Sequence, residues 1–592
     1  MKRNLLILIT SLITSITSAQ YFELDNNAGD LVNTALHQAG GTWMDYNNDG
    51  MVDIVVMGYD NPAQNRTRIY ENNAGVFTAS GTSDFYIVGT GGPTSVAGDF
   101  DNDGDLDLYQ INYQENNGND PSANILYENT GAPDYEFIAT TLVGGPGEEN
   151  YSSTGTWVDY DMDGDLDLFS TGGNGTTDIF YRNDNGVFTS VTDLSFLMSR
   201  FWAITTDTWF DFDGDGDLDV YFTNFSNQDN KLYLSQFVET GDPDNFVELS
   251  IPEVTNNAGT NIGCNWVDYD NDRDLDLFLN YFNNQDRLYR NNGDGTFTEI
   301  NDQPMTQNSG WTTVNSWADF DNDGDLDLYQ NTRTNSTFPG FLYENNGSGE
   351  FTSVESAIAG DITNTVVSPQ GGGWADYDND GDLDLVVITC CTTFPSGAAV
   401  ANDLFENKIG QDNNFAKISL QGVASNTNGI GAEIHVSATI NGSSVWQTRR
   451  INGGVESFGM QEQQIAHFGL GDATVIDSLI VKWPSGLTEV CTDVASGDIQ
   501  IMEGSCDELG ITDISPAEGI RIYPNPTSEE LHIKSVSSLL ISNWEIIAMD
   551  GKIVKTSSSY TGGIDVSELT EGIYFLSVTV NGQNKVVRFI KE

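Results

Sequence analysis

Short apolar segments recur between acidic segments along the chain from residue 20 to residue 411. After an acidic segment such as Asp99–Asp107 comes an apolar run, for example "LDLYQIN", and further on comes a second run such as "NILYEN" or "RLYRN". A turn such as "NDNG" or "NNGDG" then precedes a run led by an aromatic residue, as at Phe77, Phe188, Phe297 or Phe351. Asn-Gly and Asp-Gly turns flanked by alternating apolar and polar residues predict antiparallel hairpins.

The acidic segments repeat at intervals of 51 to 60 residues and begin at Asp45, Asp99, Asp159, Asp211, Asp268, Asp319 and Asp376. Two residues before each start lies a tryptophan, with Ala97 as the exception, at Trp43, Trp157, Trp209, Trp266, Trp317 and Trp374. Four predicted strands in each of seven repeats indicate an all-β fold, a seven-bladed β-propeller. We expect the tryptophans to pack between neighbouring blades. We also expect Tyr21–Asn26 to complete the last blade beside Asp403–Asn407, which would remove the free edge.

Each acidic segment, named loop 1 to loop 7 in chain order, places carboxylates at alternate positions of nine residues. In loop 2, Gly104 at position 6 permits a sharp turn with positive φ, which would direct the carbonyl of position 7 inward with the carboxylates. We therefore predict that the side chains at positions 1, 3, 5 and 9 and the carbonyl at position 7 bind a metal ion. The residues at positions 1, 3, 5, 7 and 9 of the seven loops are Asp45, Asn47, Asp49, Met51 and Asp53; Asp99, Asp101, Asp103, Asp105 and Asp107; Asp159, Asp161, Asp163, Asp165 and Asp167; Asp211, Asp213, Asp215, Asp217 and Asp219; Asp268, Asp270, Asp272, Asp274 and Asp276; Asp319, Asp321, Asp323, Asp325 and Asp327; and Asp376, Asp378, Asp380, Asp382 and Asp384.

Oxygen ligands in a flexible cage favour calcium, since magnesium requires a tighter octahedron and keeps its waters. The loops contain no His or Cys, so zinc and copper are poor candidates. The first part of each loop resembles an EF-hand, but position 12 carries no Glu and lies in a predicted strand, so Asp at position 9 is the predicted closing ligand. Without a cation, each close pair of carboxylates would repel by about 4 kcal/mol at an effective dielectric constant near 20.

The loops differ in predicted affinity. Loop 1 has Asn47 at position 3 and Met51 at position 7, so it carries fewer negative charges than the others. Loop 5 has Arg273 at the turn where the other loops have Gly, and positive φ costs a non-glycine residue about 1 kcal/mol. We expect its guanidinium either to offset one negative charge or to pair with a carboxylate. Loops 1 and 5 are therefore predicted to bind calcium most weakly.

Overall charge restricts the partners. Asp and Glu outnumber Lys and Arg by 88 to 23, for a net charge of −65, which excludes nucleic acid as a partner because its phosphates would be repelled. Aromatic residues make up 11% of the chain, so a packed fold is favoured over acidic disorder.

The N-terminus indicates export. Residues 1–19 combine Lys2 and Arg3, an apolar run and small residues, which is typical of a secretory signal peptide, and we identify no transmembrane segment. In an oxidising compartment Cys491 and Cys506 could form a disulfide, whereas Cys264 is predicted to be buried.

From residue 20 to residue 411 the loops and the strand pattern resemble the FG-GAP/VCBS repeats of integrin α-subunit propellers and of many bacterial surface proteins. The resemblance covers seven near-regular copies. It implies calcium in the hairpin loops, up to seven ions with one in each blade, bound by the positions given above.

Two C-terminal segments carry resemblances of their own. The segments "ASNTNGIGAEIHV", "RRINGGVESFGMQEQQIAHFGLG" and "IDSLIVKWPSG", within residues 412–504, are similar to the ASPIC/UnbV domain of cartilage-acidic-protein-like proteins. The order "YPNP", "DGK", "GIYF" within residues 520–592 resembles the sorting domain of the type IX secretion system. Residues 505–519 form the predicted linker. The resemblances imply two small β-sandwich-like domains, periplasmic transit, recognition by the type IX secretion machinery, and a secreted or surface-attached product.

Three function classes remain open. The first is a non-enzymatic, calcium-binding adhesion or binding module for an extracellular glycan or protein. The second is an extracellular polysaccharide-degrading enzyme of the lyase type, which would need a base and a charge-neutralising cluster that the pattern does not reveal. The third is a structural part of an exported assembly. No catalytic residue and no organic cofactor is predicted, and His467 is expected to be a hydrogen-bonded structural residue.

Overall fold

In the computed structural model the regular secondary structure of the described residues is almost entirely β-strand. These residues are 20–508 except 36, 62–63, 80–84, 88–93, 112–123, 141–153, 173–177, 198–203, 225–227, 257–258, 334–337, 365–367, 391–397 and 456–458, together with 520–523, 530–535, 541–548, 552–557, 563–567, 569, 572–580 and 583–591. The predicted signal peptide, residues 1–19, and most of the predicted linker, residues 509–519, lie outside them.

The strands up to residue 407 form, within the described residues, seven four-stranded antiparallel units. In chain order they are β1 (Phe22–Leu24), β2 (His37–Met44), β3 (Asp53–Asn61), β4 (Gln64–Asn73), β5 (Val76–Ala79), β6 (Phe85–Ile87), β7 (Thr94–Gly98), β8 (Asp107–Ile111), β9 (Ile125–Asn129), β10 (Phe137–Thr140), β11 (Gly155–Val158), β12 (Asp167–Ser170), β13 (Ile179–Asp184), β14 (Val187–Val191), β15 (Ile204–Phe210), β16 (Asp219–Asn224), β17 (Lys231–Ser235), β18 (Phe246–Leu249), β19 (Asn261–Val267), β20 (Asp276–Gln285), β21 (Arg287–Asn291), β22 (Phe297–Ile300), β23 (Ser309–Ala318), β24 (Asp327–Arg333), β25 (Gly340–Glu344), β26 (Thr352–Ser353), β27 (Pro369–Ala375), β28 (Asp384–Thr389) and β29 (Asp403–Asn407).

Units 1 to 6 are β2–β5, β7–β10, β11–β14, β15–β18, β19–β22 and β23–β26, and unit 7 combines β27–β29 with β1. Strand β6 adds to β4 in unit 1, and β20 of unit 5 also pairs with β23 of unit 6. The helices among the described residues have only three or four residues each: α1 (Asp30–Asn33), α2 (Phe237–Thr240), α3 (Pro252–Thr255), α4 (Ser356–Ala359) and the 3₁₀ turns Pro304–Gln307, Asp361–Asn364 and Gly410–Asp412.

The first strand of the chain completes the last unit. Strand β1 pairs antiparallel with β29, with Phe22 opposite Asn407 and Leu24 opposite Phe405. Phe22 is fully buried and packs against Phe320 and Trp374, at ring-centroid distances of 5.7 and 5.8 Å. The predicted pairing is therefore confirmed, as is the all-β propeller class. The number of blades stays a prediction, which the seven units of described strands favour.

The repeated tryptophan of each first strand lies between neighbouring units, as predicted. All six are buried, with exposures of 1 to 7%. The Trp43 indole N–H donates to the Gly373 carbonyl of unit 7 at 3.2 Å, and the Trp157 indole N–H donates to the Val96 carbonyl of unit 2 at 3.3 Å. A Cβ on Gly98 would lie 2.7 Å from the Trp157 ring, so the close approach of units 2 and 3 requires glycine there.

After the propeller comes a domain of two sheets, which we call the second domain. One sheet has the order β34–β30–β37 and the other has the order β32–β31–β35–β36–β38. Their apolar faces share one core, and a disulfide joins Cys491 to Cys506, as the sequence allowed. The strands are β30 (Asn414–Gln421), β31 (Glu433–Ile440), β32 (Ser443–Arg450), β33 (Met460–Gln461), β34 (Ala466–Gly471), β35 (Val475–Lys482), β36 (Thr488–Ala495), β37 (Gly497–Met502) and β38 (Asp507–Glu508).

The C-terminal part again forms two sheets, with the orders β39–β40–β43 and β42–β41–β44–β45. Its strands are β39 (Ile520–Tyr523), β40 (Glu530–Ser535), β41 (Ile541–Ala548), β42 (Ile553–Ser557), β43 (Ile564–Asp565), β44 (Gly572–Val580) and β45 (Gln583–Lys591). Among the described residues we find no helix that is long and apolar enough to cross a membrane.

A segment of the second domain enters the propeller. Strand β33 pairs parallel with β2, the first strand of unit 1, and the Gly41 N–H donates to the Gly459 carbonyl at 2.8 Å. The Gln461 side-chain amide accepts from the Ala97 N–H at 2.6 Å and donates to the Ala97 carbonyl at 3.2 Å. The inserted segment therefore contacts the first strands of units 1 and 2, and its Gln461 side chain binds Ala97, the residue at which unit 2 lacks the repeated tryptophan.

Candidate metal centres in the acidic loops

Each acidic loop is the connection inside the first hairpin of its unit. In unit 2, for example, Asp99 at position 1 follows β7 directly, and Asp107 at position 9 is the first residue of β8. The same placement holds in all seven units, so the repeat predicted from the sequence brings the loops to corresponding ends of the seven hairpins.

The carboxylate at position 9 fixes the hairpin. In every loop its Oδ2 accepts the N–H of position 2, and its Oδ1 accepts an N–H from the end of the third strand of the unit. For Asp107 the donors are Phe100 at 3.0 Å and Asn129 at 2.8 Å. The bond to the third strand is 2.7 to 2.8 Å long in all seven units. Each carboxylate oxygen keeps a second lone pair, so these bonds leave the residue able to bind a cation.

The carboxylates at positions 1 and 5 shape the turn. In loop 2 the Asp99 oxygens accept the N–H groups of Asp103 at 3.0 Å and Gly104 at 2.9 Å, and Asp103 Oδ1 accepts the N–H of Asp105 at 3.0 Å. Gly104 has a φ of 95°, which confirms the predicted turn at position 6. The loop is thus closed by its own carboxylates and backbone.

In four loops the carboxylates of positions 1, 3 and 9 converge, with one oxygen of each residue within 4.8 Å of the others. These triads are Asp99, Asp101 and Asp107; Asp159, Asp161 and Asp167; Asp211, Asp213 and Asp219; and Asp268, Asp270 and Asp276. In loop 5, Asp268 Oδ1 and Asp270 Oδ1 are buried and have no hydrogen-bond partner among the described residues. Converging anionic oxygens with unsatisfied lone pairs fit a hard divalent cation.

Burial disfavours the ionised form of these aspartates when no cation is bound. Desolvation raises the pKa of Asp107 to about 9, that of Asp219 to about 9 and that of Asp53 to about 8. It also raises the pKa of Asp167 and Asp327 far above the ordinary value, with repulsion from neighbouring carboxylates in the same direction. The metal-free loops therefore hold protons near neutral pH, and a divalent cation would compete with those protons.

The side chains at position 7 are not members of these triads, and the carbonyl of this position stays a predicted ligand. In loops 2 and 3 they turn toward the preceding unit: Asp105 Oδ1 accepts from the Asn48 side-chain amide at 2.6 Å, and Asp165 Oδ1 accepts from that of Asn102 at 2.9 Å. In these two loops the aspartate at position 7 thus forms a hydrogen bond to the preceding unit.

Asparagine at position 4 links neighbouring loops, a role that the sequence analysis missed. Its side-chain amide donates to the carbonyl of position 6 in the next loop, at 3.0 to 3.2 Å, and the bond from Asn379 to Gly50 joins loop 7 to loop 1. The available signal was the recurrence of Asn at this position, where φ is positive. Loops 3 and 4 have Met162 and Gly214 there, so neither can make the bond to the next loop.

Arg273 adopts the positive φ expected at the turn of loop 5, 77°, and its N–H donates to Asp268 Oδ2 at 3.1 Å. Its guanidinium carbon lies 5.0 Å from the centre of the Trp446 ring of the second domain. The side chain therefore reaches the second domain by a cation–π contact. Burial and the neighbouring Asp272 raise the pKa of Asp274, and the Arg273 charge opposes this rise only in part.

The second domain covers this end of the propeller. The Gly469 N–H donates to Asp319 Oδ2 at 3.0 Å, and the Lys417 ammonium donates to Asp376 Oδ2 at 2.8 Å, so position-1 carboxylates of loops 6 and 7 are bound from outside their loops. The Arg450 guanidinium donates to the carbonyls of Trp209 and Trp266, both at 3.2 Å, and so connects units 4 and 5.

His467 has the structural role predicted for it. Its Nε2–H donates to the Gly381 carbonyl of loop 7 at 3.3 Å, its ring stacks on Phe415 at 5.8 Å, and burial lowers its pKa to about 3. It lies beside a cavity of about 130 Å³ between the propeller and the second domain, lined also by Asp319, Lys417 and Arg449.

Three family models match the chain. The model described as FG-GAP-like repeat matches residues 45–109, 159–222, 211–279, 268–329 and 335–387. The model described as ASPIC and UnbV matches residues 422–505, and that described as Secretion system C-terminal sorting domain matches residues 521–592.

Cartilage acidic protein 1 is a similar curated protein. The Xenopus tropicalis protein is 28% identical over 249 residues, which are 40% of this chain and 35% of that protein, and the Homo sapiens protein is 28% identical over 245 residues, with the same coverage. The chain thus spans about a third of the length of these relatives. Among solved structures, rhamnogalacturonan lyase YesW has 12% identity and a TM-score of 0.34, over 63% of this chain and 72% of that chain.

Loops 1 and 5 are predicted to lose calcium first when the free calcium concentration is lowered. Replacement of Asp270 by Ala should abolish binding in loop 5, because the converging triad loses one carboxylate. Replacement Arg273→Gly should tighten the same site, since it removes a positive charge and the strain of positive φ. Calcium titrations followed by isothermal calorimetry measure both effects, with Asp302→Ala as a surface control. Filling of loop 1 or loop 5 before the other loops would contradict the ranking by charge.

The metal-free protein is predicted to become less stable as the pH rises from about 5 to about 9. The folded pKa of Asp53, Asp107 and Asp219 is raised to about 8 or 9 from 3.8, so the folded state binds more protons than the unfolded state between these values. The stabilisation is complete below the unfolded pKa and is lost as the pH rises through the folded pKa. Thermal melts of calcium-stripped protein at several pH values test this, and a melting temperature that increases with pH would show the prediction to be wrong.

Proposed function

Since the chain consists of FG-GAP-like repeats followed by an ASPIC and UnbV domain and a Secretion system C-terminal sorting domain, we propose that it is an exported, calcium-binding adhesion or binding module for an extracellular glycan or protein. The sorting domain implies export to the outer-membrane surface or the medium by type IX secretion. The finer proposal has three parts: calcium as the metal, a non-enzymatic role, and an extracellular ligand.

The observation that carries the calcium proposal is the convergence of three carboxylates in each of four loops. The residues of positions 1, 3, 5 and 9 would hold the ion, with the carbonyl of position 7 as a further ligand. A bound divalent cation would neutralise the negative charge of the buried carboxylates, which burial otherwise favours in the protonated form. In this role calcium is a structural ion that fixes the hairpins.

The contacts of the second domain influence where a ligand would bind. The loop end of the propeller is in contact with the second domain through Asp319, Asp376 and Gly381. The acidic loops join the first and second strands of each unit, so the connections from second to third strands leave from the opposite end. We propose that the ligand contacts this opposite end.

The alternative function is an extracellular polysaccharide lyase on the same scaffold. The three family models that match the chain describe a repeat, an ASPIC and UnbV domain and a sorting domain, and none of these descriptions names a catalytic activity. A single screen separates the two functions: the full chain is incubated with glycan arrays and bacterial surface proteins, with calcium and with chelator, and unsaturated sugar products are recorded. Calcium-dependent capture without product supports the binding module, and release of unsaturated sugars would establish the lyase instead.

Removal of calcium is predicted to lower the melting temperature substantially. A ligand that binds only the native state stabilises it by mass action, by about 2.7 kcal/mol per site at a free concentration 100 times Kd. Melts in calcium, in excess chelator, and in chelator followed by calcium in excess measure the effect and its reversal. An unchanged melting curve in chelator would contradict the proposal that metal ions stabilise the fold.

Deletion of residues 520–592 is predicted to trap a folded, calcium-binding protein in the periplasm. The deleted segment acts as an address for secretion, and its strands pair only with one another among the described residues. Fractionation of cells with antibodies against the propeller gives the location, and the melting temperature of the purified truncated protein is the folding control. Normal surface display of the truncated protein would contradict this role.

A further inference from the structure

Loop 4 belongs to a second group of three carboxylates near its turn. One oxygen each of Asp215, Asp217 and Glu239 lies within 4.8 Å of the others. Asp215 and Asp217 are positions 5 and 7 of the loop, whereas Glu239 belongs to α2, which follows the third strand of unit 4. This group is separate from the triad of Asp211, Asp213 and Asp219 in the same loop.

Helix α2 is attached to the loop, so Glu239 has a defined place there. The Val238 N–H donates to Asp217 Oδ2 at 2.9 Å. In units 1 and 3 the corresponding chain makes a tight turn that leads directly into the fourth strand. Among the seven described units, unit 4 alone has an α-helix after its third strand, whereas the 3₁₀ turn Gly410–Asp412 follows the third strand of unit 7.

Two oxygens of this group lack partners although they are buried. Asp217 is 0% exposed, and its Oδ1 has no hydrogen-bond partner in the part of the chain that the structure describes; the same holds for Asp215 Oδ2. In loops 2 and 3 the position-7 carboxylate receives the side-chain amide of Asn48 or Asn102 from the preceding loop. The loop that precedes loop 4 has Met162 at that position, which has no N–H to donate.

Buried carboxylate oxygens without a donor are unfavourable, and the neighbouring carboxylates of the group add electrostatic repulsion. A proton or a cation is needed to balance the three negative charges. Glu239 is exposed, so the group is open to solvent and water can complete the coordination of an ion. Hard oxygen donors select a hard divalent cation.

We propose that Asp215, Asp217 and Glu239 form a second divalent-cation site in unit 4, beside the site of loop 4. The carboxylate of Asp215, which is position 5 of the loop, is shared between the two. Unit 4 then holds a pair of calcium ions where the other loops hold one. This inference rests on the proposed calcium binding of the loops, and the experiment distinguishes the two.

The test counts the ions on the full chain by native mass spectrometry at a fixed free calcium concentration. Glu239→Gln should bind one ion fewer than the wild type, because the group loses one of its three carboxylates. The control Glu253→Gln makes the same charge change at another exposed residue of unit 4, in α3, and should leave the count unchanged. Asp213→Asn removes a ligand of the loop site alone, and the double variant with Glu239→Gln should lose one more ion than Asp213→Asn.

Electron paramagnetic resonance with Mn²⁺ as the probe gives a second measurement. The wild type should show a spin-coupled pair of Mn²⁺ ions, which Glu239→Gln abolishes and Glu253→Gln keeps. An equal ion count in wild type and Glu239→Gln, or a coupled pair that survives Glu239→Gln, overturns the second site. A wild type that binds no divalent ion overturns the proposed function together with it. Melting of the metal-free variants confirms that the exposed substitution leaves the fold intact.

Discussion

The fold depends on one buried carboxylate that recurs at position 9 of every loop. Each of these aspartates starts the second strand of its unit and receives backbone N–H groups from the loop and from the third strand. The same residue is a member of the converging triads. Burial of its charge is unfavourable unless a proton or a cation accompanies it. Strand pairing and the proposed metal binding therefore depend on the same side chain, so a substitution at position 9 would affect both.

The second domain is an integral part of this arrangement. It donates hydrogen bonds to position-1 carboxylates of loops 6 and 7 and inserts β33 beside the first strand of unit 1. Arg450 contacts units 4 and 5, the junction at which Gly214 cannot provide the amide link found between other loops. A side chain from the second domain thus adds a polar connection at the junction where the amide bond between loops is missing.

The repeat made much of this structure predictable from the sequence. Regular spacing fixed the order of the strands, the position of each loop, the burial of the tryptophans and the pairing of β1 with β29, because each follows from one unit copied along the chain. The contacts that break the repeat were not predictable. Gln461 binds Ala97 across 364 residues, and Glu239 approaches loop 4 through a helix found in one unit. Such contacts leave no periodic pattern, since each occurs once.

The pairing of β1 with β29 has a consequence for biogenesis. Strand β1, near the start of the described chain, pairs with β29, the last strand of the repeat array. A chain that has been synthesised or translocated only in part therefore lacks β29, and its β1 stays unpaired. A truncated chain presents an unpaired strand, which is a template for aggregation and a target for proteolysis. Pairing of β1 with β29 therefore distinguishes complete from incomplete propellers. Phe22 is buried only when the chain extends to residue 407, and only then is β1 protected from proteolysis.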